Sequence, residues 1–360
     1  MPSVHSLTVT GYKSIRALHD FELRNLNVLI GANGAGKSNF ISLFRLLNEM
    51  YEQRLQLFVQ TQGGPDAMLH FGRRTTDKLH AAFYFAKNGY EFDLVPTNDN
   101  RLVFEREVSS YRGVQFHTAP SSTLATGHAE SKLKEAIDPY SPYVRESVSN
   151  WRVYHFHDTS DKARVKQRHA TNDNLRLKPD AANLAAYLRM LRSNHQGAYR
   201  RIVDTIRLVA PFFGDFVHRD DDSETVELEW TQRDNPDTPF KAHVLSDGTL
   251  RFICLTTLLL QPIELLPDTI LIDEPELGLH PYAISVLAEV LQQVAEAKQV
   301  IVSTQSVELV NELCAEDIVV VDQKDGASTF RRYKQEELSG WLEQYALGEL
   351  WKRNILGGRP

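Results

Sequence analysis

The sequence predicts an α/β protein whose central sheet is parallel, and two observations carry this prediction. Nearly continuous apolar runs at residues 26–30 and 269–272 are typical of strands buried on both faces, and a segment with helical periodicity follows each of them. From residue 244 onward, predicted strands and helices alternate, an order that places parallel strands in one layer with helices on both sides. The predicted fold class is therefore a three-layer α/β fold.

Periodicity defines the elements of the N-terminal third. Alternating apolar and polar residues predict a strand, and a stripe that includes Phe40, Leu43 and Leu47 predicts a helix. Between residues 79 and 118, short apolar segments are separated by Lys-Asn-Gly and Asn-Asp-Asn, which predicts an antiparallel meander. In order, the predicted elements are strands at 4–12 and 26–30, a helix at 39–51, and strands at 81–85, 90–94 and 102–104.

The remaining two thirds of the chain contain helices in the middle and the alternating pattern near the end. Apolar residues spaced by three or four positions predict the helices, and no heptad pattern is sustained long enough for a coiled-coil arm. The predicted helices are 131–137, 181–191, 197–209, 249–260, 281–297 and 307–314; the predicted strands are 225–230, 269–272, 299–303 and 317–321; a turn is predicted at 234–237.

Composition and charge exclude several classes of protein. The chain has 360 residues with 40 Lys and Arg against 47 Asp and Glu, so an overall basic surface for nucleic acid is absent. Two cysteines, Cys254 and Cys314, exclude a disulfide scaffold and a Cys-based zinc cluster, and they favour a reducing compartment. Neither a signal peptide nor an apolar run near the ~20 residues of a membrane span is recognisable, so we expect a cytoplasmic protein without a membrane partner.

A glycine-rich loop with the sequence GANGAGKS lies between the first buried strand and the following helix, at residues 31–38. This strand-to-helix context is the one that the G-x-x-x-x-G-K-[ST] motif requires, so an incidental glycine turn is disfavoured. The glycines let backbone N–H groups surround a phosphate, while Lys37, also a candidate catalytic residue, reaches the β- and γ-phosphates and Ser38 binds Mg²⁺. The candidate nucleotide-binding residues of this loop are Gly31, Asn33, Gly34, Gly36, Lys37, Ser38 and Asn39.

Two acidic residues end the second buried strand. At the carboxyl edge of a parallel sheet, Asp273 is expected to hold Mg²⁺ opposite Ser38. Glu274 is expected to be the general base that takes a proton from the attacking water, a role worth ~10²–10⁴ in rate. Glu276 is a rival for that role, although Pro275 separates it from the metal-binding carboxylate. Alone the pair could be an ordinary strand end in solvent, but together with the glycine-rich loop it predicts a nucleotide hydrolysis site.

A third motif, LSDGT at residues 245–249, precedes a predicted helix and by itself predicts only a helix N-cap. The order of four motifs is more specific, since the glycine-rich loop, LSDGT, ILIDEPELGLHP and IVSTQS follow one another along nearly the whole chain. In this order the sequence resembles the ATPase head of the ABC superfamily and, more narrowly, the RecF/SMC-type AAA ATPases. That group includes the ATPase part of overcoming-lysogenization-defect (OLD) proteins, and GYKSI at 11–15 and LGELW at 347–351 also match it.

The resemblance implies a P-loop NTPase head of ABC/RecF type, with a mixed sheet, an antiparallel β-subdomain and a mainly helical insertion. Residues 1–118 would form the N-terminal part of the head, residues 119–222 the insertion, and residues 223–360 the C-terminal part. The resemblance also implies ATP and Mg²⁺ as ligands. Its quaternary structure would be a homodimer in which two ATP molecules lie between the heads, with a higher oligomer left open.

Several residues receive a role from the resemblance alone. Ser246 and Gly248 of the signature motif LSDGT would contact the γ-phosphate bound by the second protomer, and residues 276–280 would cross the dimer seam. In the switch segment STQS, many relatives carry His where Gln305 stands here, so Gln305 is a candidate catalytic residue whose amide can hydrogen-bond the γ-phosphate or water. Lys13 corresponds to a basic residue near the nucleotide phosphates.

Two departures from these families limit the function that we expect. The missing coiled-coil arm disfavours DNA tethering of the SMC type, and the chain after Ser306 is too short for the Toprim nuclease of OLD proteins. The Q-loop glutamine is either Gln60 or Gln62. We expect an ATPase switch that dimerises on ATP and controls a separate effector protein in antiphage defence or DNA repair, with DNA left open as a further partner. The alternative is a regulatory scaffold that binds ATP, hydrolyses it negligibly, and assembles or inhibits an effector.

Two weaker signals lie in the predicted insertion. The basic segment KARVKQRH at 162–169 is either a solvated loop, which we favour because no aromatic residue interleaves with the charges, or a DNA-phosphate patch. His155 and His157 stand two residues apart on a predicted strand, and without an evident third ligand a packing role is favoured over zinc binding.

Overall fold

The computed structural model describes residues 3–111, 120–219 and 223–359, which form two large sheets, two small ones, and the helices between and around them. The strands are β1 (Ser6–Tyr12), β2 (Ile15–Glu22), β3 (Leu26–Ile30), β4 (Leu79–Phe85), β5 (Asn88–Pro96), β6 (Leu102–Tyr111), β7 (Ser121–Ala125), β8 (Trp151–Tyr154), β9 (His169–Ala170), β10 (Phe213–Phe216), β11 (Thr225–Val226), β12 (Glu229–Gln232), β13 (Asn235–Lys241), β14 (Thr269–Asp273), β15 (Gln299–Thr304), β16 (Ile318–Lys324) and β17 (Ala327–Arg332). The helices are α1 (Lys37–Tyr51), α2 (Leu55–Thr61), α3 (Pro65–Met68), α4 (Ser141–Ser149), α5 (Leu184–Asn194), α6 (Gln196–Val209), α7 (Asp247–Leu260), α8 (Pro281–Ala295), α9 (Val307–Asn311), α10 (Gln335–Leu342) and α11 (Leu347–Lys352).

The central sheet has the strand order β17-β16-β3-β15-β14-β8. Neighbours from β16 to β8 are parallel, whereas β17 pairs with β16 in the antiparallel sense, so the sheet is mixed. Strands β3, β14 and β15 are buried along nearly their whole length because both faces of the sheet are covered, which explains their continuous apolar sequences. The α/β fold class predicted from the sequence is confirmed.

The second large sheet is antiparallel throughout, with the order β2-β1-β4-β5-β6-β7. Strands β4, β5 and β6 are the meander predicted from the sequence, with β4 and β5 joined by a tight turn. Strand β2 was not predicted, because only Ile15 and Leu18 along its length are buried and the sequence lacks a clear alternation.

Helix α1 lies between the two large sheets and joins their cores. Its residues Phe40, Phe44 and Leu47 belong to one apolar cluster together with side chains from both sheets. The ring of Trp151, on β8, is centred 5.4 Å from that of Phe44 and 5.7 Å from that of Phe83 on β4. Because aromatic groups contribute much of the stability of such cores, the position of α1 is set by both layers, and so is the loop from which it begins.

Residues 131–137 form turns, so the helix predicted there is wrong. The Ser131 hydroxyl donates to the buried carboxylate of Glu107 at 2.5 Å, and the backbone N–H of Lys132 donates to the same carboxylate at 2.9 Å. Hydrogen bonds to a buried carboxylate contribute more to stability than the helix propensity of a short segment. The segment therefore bonds to Glu107 instead of forming a helix. Helix α4, which was not predicted, begins shortly afterwards.

The region between residues 119 and 222, predicted as a mainly helical insertion, contains three α-helices and also two strands that belong to the large sheets. Strand β7 extends the antiparallel sheet by pairing with β6, and β8 forms the edge of the central sheet by pairing with β14. Helices α5 and α6 from the same region pack on each other and on α7. The predicted domain limits at 118, 119 and 222 lie outside the described residues, so these limits stay predictions.

The C-terminal part agrees with the predicted alternation of strands and helices, with local shifts. The predicted strand 225–230 is divided into β11 and β12, which belong to different small sheets. The turn expected at 234–237 lies at residues 233–234, because β13 begins at Asn235. Within the three described ranges, no helix is both long enough and apolar enough to cross a membrane.

Candidate active site

The glycine-rich loop connects β3 to α1 at the carboxyl edge of the central sheet. Gly31, Gly34 and Gly36 have φ angles of +154°, +81° and +115°, a region that favours glycine. A Cβ on Gly36 would overlap Ser328 Oγ, and a Cβ on Gly31 would overlap the carbonyl oxygen of Val321. At Gly34, no other part of the described chain comes within 4 Å of that position. The loop is therefore packed tightly from behind and open at its tip.

A chain of hydroxyl groups holds the loop from behind. Asn39 Nδ2 donates to Ser14 Oγ at 2.7 Å, and Ser14 Oγ lies 2.7 Å from Ser328 Oγ. Ser328 Oγ lies in turn 2.5 Å from the carbonyl oxygen of Ala35, within the loop. The amide of Asn39, expected to contact nucleotide, is thus engaged inside the protein. Ser14 and Ser328 received no functional role from the sequence, because residues so far apart in the chain give no local signal of their contact.

Lys37 lies in the first turn of α1 and is only 5% exposed. Its Nζ donates to the carbonyl oxygens of Gly31 and Ala32, at 2.5 and 3.1 Å. Burial lowers the pKa of Lys37, while the carboxylates that follow β14, led by that of Glu274, act in the opposite direction. The ammonium group is therefore directed into the loop, and the acidic residues that act on its pKa lie at the end of β14, two strands away from β3 in the sheet.

Asp273 and Glu274 lie beside the end of β15, because β14 and β15 are parallel and their register pairs Asp273 with Ser303. The Ser303 hydroxyl donates to the Asp273 carboxylate. Glu274 has a φ angle of +44°, a costly value for a residue with a side chain, and its carboxylate accepts a hydrogen bond from Gln305 Nε2. The fold thus brings together three candidate residues that two separate sequence motifs contributed.

Glu276, the rival base, is 9% exposed and bonded to the switch segment. Its Oε1 accepts hydrogen bonds from Thr304 Oγ1 at 2.6 Å and from the backbone N–H of Gln305 at 2.9 Å. Its Oε2 is buried without a hydrogen-bond partner among the described residues. Burial raises the pKa of this carboxyl, although the two hydrogen bonds oppose the rise. Glu276 therefore fixes the backbone from which Gln305 reaches Glu274, a contact that the sequence did not reveal.

The oxygen atoms at this edge suit a Mg²⁺ ion bound together with nucleotide phosphates. Ser38 presents an exposed hydroxyl in the first turn of α1, and the half-buried Asp273 carboxylate ends β14. Hydroxyl and carboxylate oxygens are ligands that Mg²⁺ accepts, and phosphates and water complete its octahedral shell. The two residues predicted to hold the metal therefore fit that ion.

The signature motif forms the start of α7. The exposed Ser246 is the N-cap residue, because its Oγ accepts a hydrogen bond from the backbone N–H of Thr249 at 3.2 Å. Gly248 lies so close to Gly278 that a Cβ would overlap the Gly278 carbonyl oxygen. The first turn of α7 thus packs directly on the loop that follows β14.

The buried side chain of Arg251 strengthens this contact. It donates to the carbonyl oxygens of Phe156 at 2.9 Å, His157 at 3.1 Å and Leu277, and the last belongs to the loop after β14. His157 Nε2 lies in turn 2.7 Å from the backbone oxygen of Asp273. Sequence reasoning missed Arg251, although a single charge within the apolar run of α7 is a visible signal, since a buried charge requires partners.

Lys13 lies in the turn between β1 and β2, with a φ angle of +46°. Its Nζ donates to Gln62 Oε1 at 3.0 Å, whereas Gln60 is exposed on α2. Burial lowers the pKa of Lys13. This contact favours Gln62 over Gln60 as the counterpart of the Q-loop glutamine.

The basic segment at 162–169 is partly neutralised within the chain, although Lys162 is exposed. Arg164 pairs with Asp180 at 2.9 Å, Arg168 pairs with Glu227 at 3.0 Å, and Lys166 is only 5% exposed. Because cations with acidic partners contribute less to phosphate binding, the segment is better described as a salt-bridged surface loop than as a DNA-phosphate patch.

The packing behind the loop predicts different costs for two glycine substitutions. Gly36→Ala and Gly34→Ala both place a side chain at positive φ, which costs roughly 1–2 kcal/mol. Gly36→Ala also forces a Cβ against Ser328 Oγ, so we expect it to lower the free energy of unfolding by about 1–3 kcal/mol more than Gly34→Ala. Urea denaturation of both variants checks this, and equal losses would contradict the packing described here.

Comparison with known proteins places this architecture in a family. The sequence matches the family described as "AAA domain, putative AbiEii toxin, Type IV TA system" over residues 26–311. No curated protein matches it significantly. Its structure is similar to an SmcHead bound to the C-winged helix domain of ScpA, with a TM-score of 0.63, 14% identity, and coverage of 94% of this chain and 100% of that chain. It is also similar to an Smc head domain with an extended coiled coil bound to the C-terminal domain of ScpA from Pyrococcus furiosus, with a TM-score of 0.61, 15% identity, and coverage of 96% and 99%. These structures establish the fold of an SMC-type ATPase head, and since the family match spans most of the chain, the protein belongs to this AAA domain family.

Proposed function

We propose that the protein is a Mg²⁺-dependent ATPase of the RecF/SMC type that hydrolyses ATP between two copies of the chain. One observation carries the proposal: the register of β3, β15 and β14 brings the phosphate loop with the buried Lys37 to the same edge of the sheet as Asp273 and Glu274. Phosphoryl transfer to water needs this combination of a cation at the phosphates, a metal-binding carboxylate and a group that orients the water.

In this proposal, each candidate residue has a separate chemical role. Lys37 and the backbone N–H groups of the loop bind the phosphates, and Asp273 and Ser38 hold Mg²⁺, which neutralises charge that develops on the phosphate oxygens. Glu274 orients the attacking water and accepts its proton. The Gln305 amide holds the Glu274 carboxylate in place, and its hydrogen bond is available for exchange with the γ-phosphate or water.

The second copy of the chain contributes the signature motif. Ser246 is exposed at the N-terminus of α7, where free backbone N–H groups and the helix dipole favour a phosphate. Large apolar side chains surround this end of the molecule: Val244 is 61% exposed, Leu277 46% and Tyr282 53%. Such exposed apolar groups beside a polar motif are typical of a protein interface and support an ATP-dependent homodimer through this face.

The dimer would act as a switch for a separate effector protein. The two similar SMC heads were solved with ScpA bound, and the family description names a putative toxin of a toxin–antitoxin system. These names support a protein partner, while the setting in antiphage defence or DNA repair rests on the resemblance of the motifs to the OLD-like ATPases. The bonded Glu274–Gln305 pair favours turnover over a scaffold that only binds ATP.

Lys37→Ala is predicted to abolish stabilisation by Mg²⁺-ATP. A ligand that binds only the folded state stabilises it by about 2.7 kcal/mol at 100 times its Kd, and Lys37 supplies the main cation for the phosphates. Thermal unfolding with and without Mg²⁺-ATP measures the effect. Lys162→Ala, which removes an exposed lysine elsewhere, should keep the full shift. If Mg²⁺-ATP raised the melting temperature of Lys37→Ala as much as that of the parent protein, the assignment of the phosphate loop would be wrong.

Glu274→Gln is predicted to trap ATP and with it the dimer. The amide preserves the shape of the side chain but cannot take the proton from water, so bound ATP persists and holds the two copies together. Light scattering with Mg²⁺-ATP should therefore give twice the mass found without nucleotide.

A second substitution locates the seam of this dimer. Adding Ser246→Arg places a bulky side chain where the phosphate of the opposing copy belongs, so the increase in mass should disappear while ATP binding remains. Adding Ser193→Arg on the exposed side of α5 is the matched control and should leave the increase intact. A mass that ATP does not change in Glu274→Gln, with ATP bound, would refute the two-copy site.

A further inference from the structure

A cavity of about 420 Å³ lies outside the nucleotide site, between the C-terminal half of α1 and the edge strand β8. Its volume falls within the roughly 300–1,000 Å³ that is typical of small-molecule sites. Arg45 follows Lys37 by eight residues on α1, which places it about 12 Å further along the helix axis and separates the cavity from the phosphate loop. Its wall includes Arg45, Asn48, Arg152, Val153, His155 and Pro179.

The charges around the cavity leave one arginine without an acidic partner. Glu49 pairs with Arg54 at 2.7 Å, and Glu52 pairs with Lys134 at 3.0 Å, so both acidic residues of the wall already have a cation. Arg45, in contrast, forms no hydrogen bond or ion pair within the described part of the chain, and its guanidinium carbon lies 5.8 Å from the centre of the Phe58 ring. The cavity therefore carries an excess positive charge on its α1 side.

The β8 side adds a second arginine and a buried ring nitrogen. Arg152 Nη1 donates to the backbone oxygens of Ser149 at 2.7 Å and Trp151 at 2.6 Å, and the guanidinium forms no ion pair with a described residue. Nε2 of His155 is buried without a hydrogen-bond partner in the same described ranges. Burial and then the charge of Arg45 lower the pKa of His155. A buried polar atom of this kind normally has a partner.

We propose that this cavity binds a small phosphomonoester of mononucleotide size, with its phosphate held by Arg45 and Arg152 beside the ring of His155. The planar guanidinium offers paired N–H groups that match phosphate oxygens, which makes arginine the side chain best suited to this group. Val153 and Pro179 supply an apolar wall for the organic part of the ligand.

The acidic residues of the wall define the rest of the ligand. Glu49 and Glu52 line the same cavity, so a nucleic-acid strand laid through it would bring further phosphates against carboxylates of the same charge. A ligand with one anionic group and several hydroxyl or amino donors avoids this repulsion, and its donors can meet the carboxylates. A nucleoside monophosphate has this distribution of groups.

Calorimetric titration of AMP into the full-length chain tests the site, with the phosphate loop saturated by Mg²⁺ and a non-hydrolysable ATP analogue. We expect one AMP per chain, bound at least about tenfold more weakly by Arg45→Gln, since each charge-assisted contact is worth more than a tenfold change in affinity. Arg45 is exposed, so the variant should fold as the parent does, which thermal unfolding verifies. Arg200→Gln, at an exposed site on α6, removes the same charge elsewhere and should bind normally.

Several results would overturn the proposal. The proposal is wrong if AMP shows no saturable binding, or if Arg200→Gln loses as much affinity for AMP as Arg45→Gln does. It is also wrong if inorganic phosphate binds as tightly as AMP. A further one is displacement of AMP by a short single-stranded DNA without terminal phosphates, which would make the site one for nucleic acid. The Lys37→Ala variant should still bind AMP when no ATP analogue is present. A failure of the ATPase proposal is therefore distinguishable from a failure of this one.

Discussion

The register of three neighbouring parallel strands places every candidate catalytic group. Ile30 at the end of β3 pairs with Thr304 of β15, and Ser303 pairs with Asp273 of β14. Because neighbouring strands lie about 4.8 Å apart, the phosphate loop, the switch segment and the acidic pair leave the sheet within reach of one nucleotide. A shift of one residue in this register would turn Asp273 to the opposite face of the sheet, and the candidate site residues would no longer lie together.

The same register links the site to the surface where a second copy would bind. Gly278 packs on Gly248, and Arg251 bonds the loop after β14 to the signature helix, so the two ends of the candidate site are rigidly joined in each chain. Glu276 holds the switch segment on the other side. In the proposed dimer, a phosphate bound at the start of α7 from the other copy would therefore contact an element packed on the loop that carries Glu274, which would couple the two nucleotides.

The sequence predicts those parts of the candidate site that consist of residues close together in the chain. The glycine-rich loop and the Asp273–Glu274 pair depend on strand-to-loop contexts that a short apolar pattern reveals. The hydroxyl chain at Ser328 and the bonds of Glu276 could not be predicted, because they join segments far apart in the chain and spacing does not tell which groups meet. The same limit applies to β8, a short strand whose place at the sheet edge depends on pairing with β14.

The central claim, one active site built from two copies, is tested most directly by mixing two inactive variants and measuring ATP turnover. In a mixed dimer, the Ser246→Arg chain supplies an intact Glu274 and the Glu274→Gln chain supplies an intact Ser246, so one of the two sites is complete. Ser246→Arg chains should not pair with each other and Glu274→Gln chains pair stably, so the quarter of the parental rate that random pairing in a symmetric dimer would give is an upper limit. If the variants are combined before ATP is added, we therefore predict a rate well above that of either variant alone and up to about a quarter of the parental rate. A mixture no more active than the average of its two components would contradict the shared site.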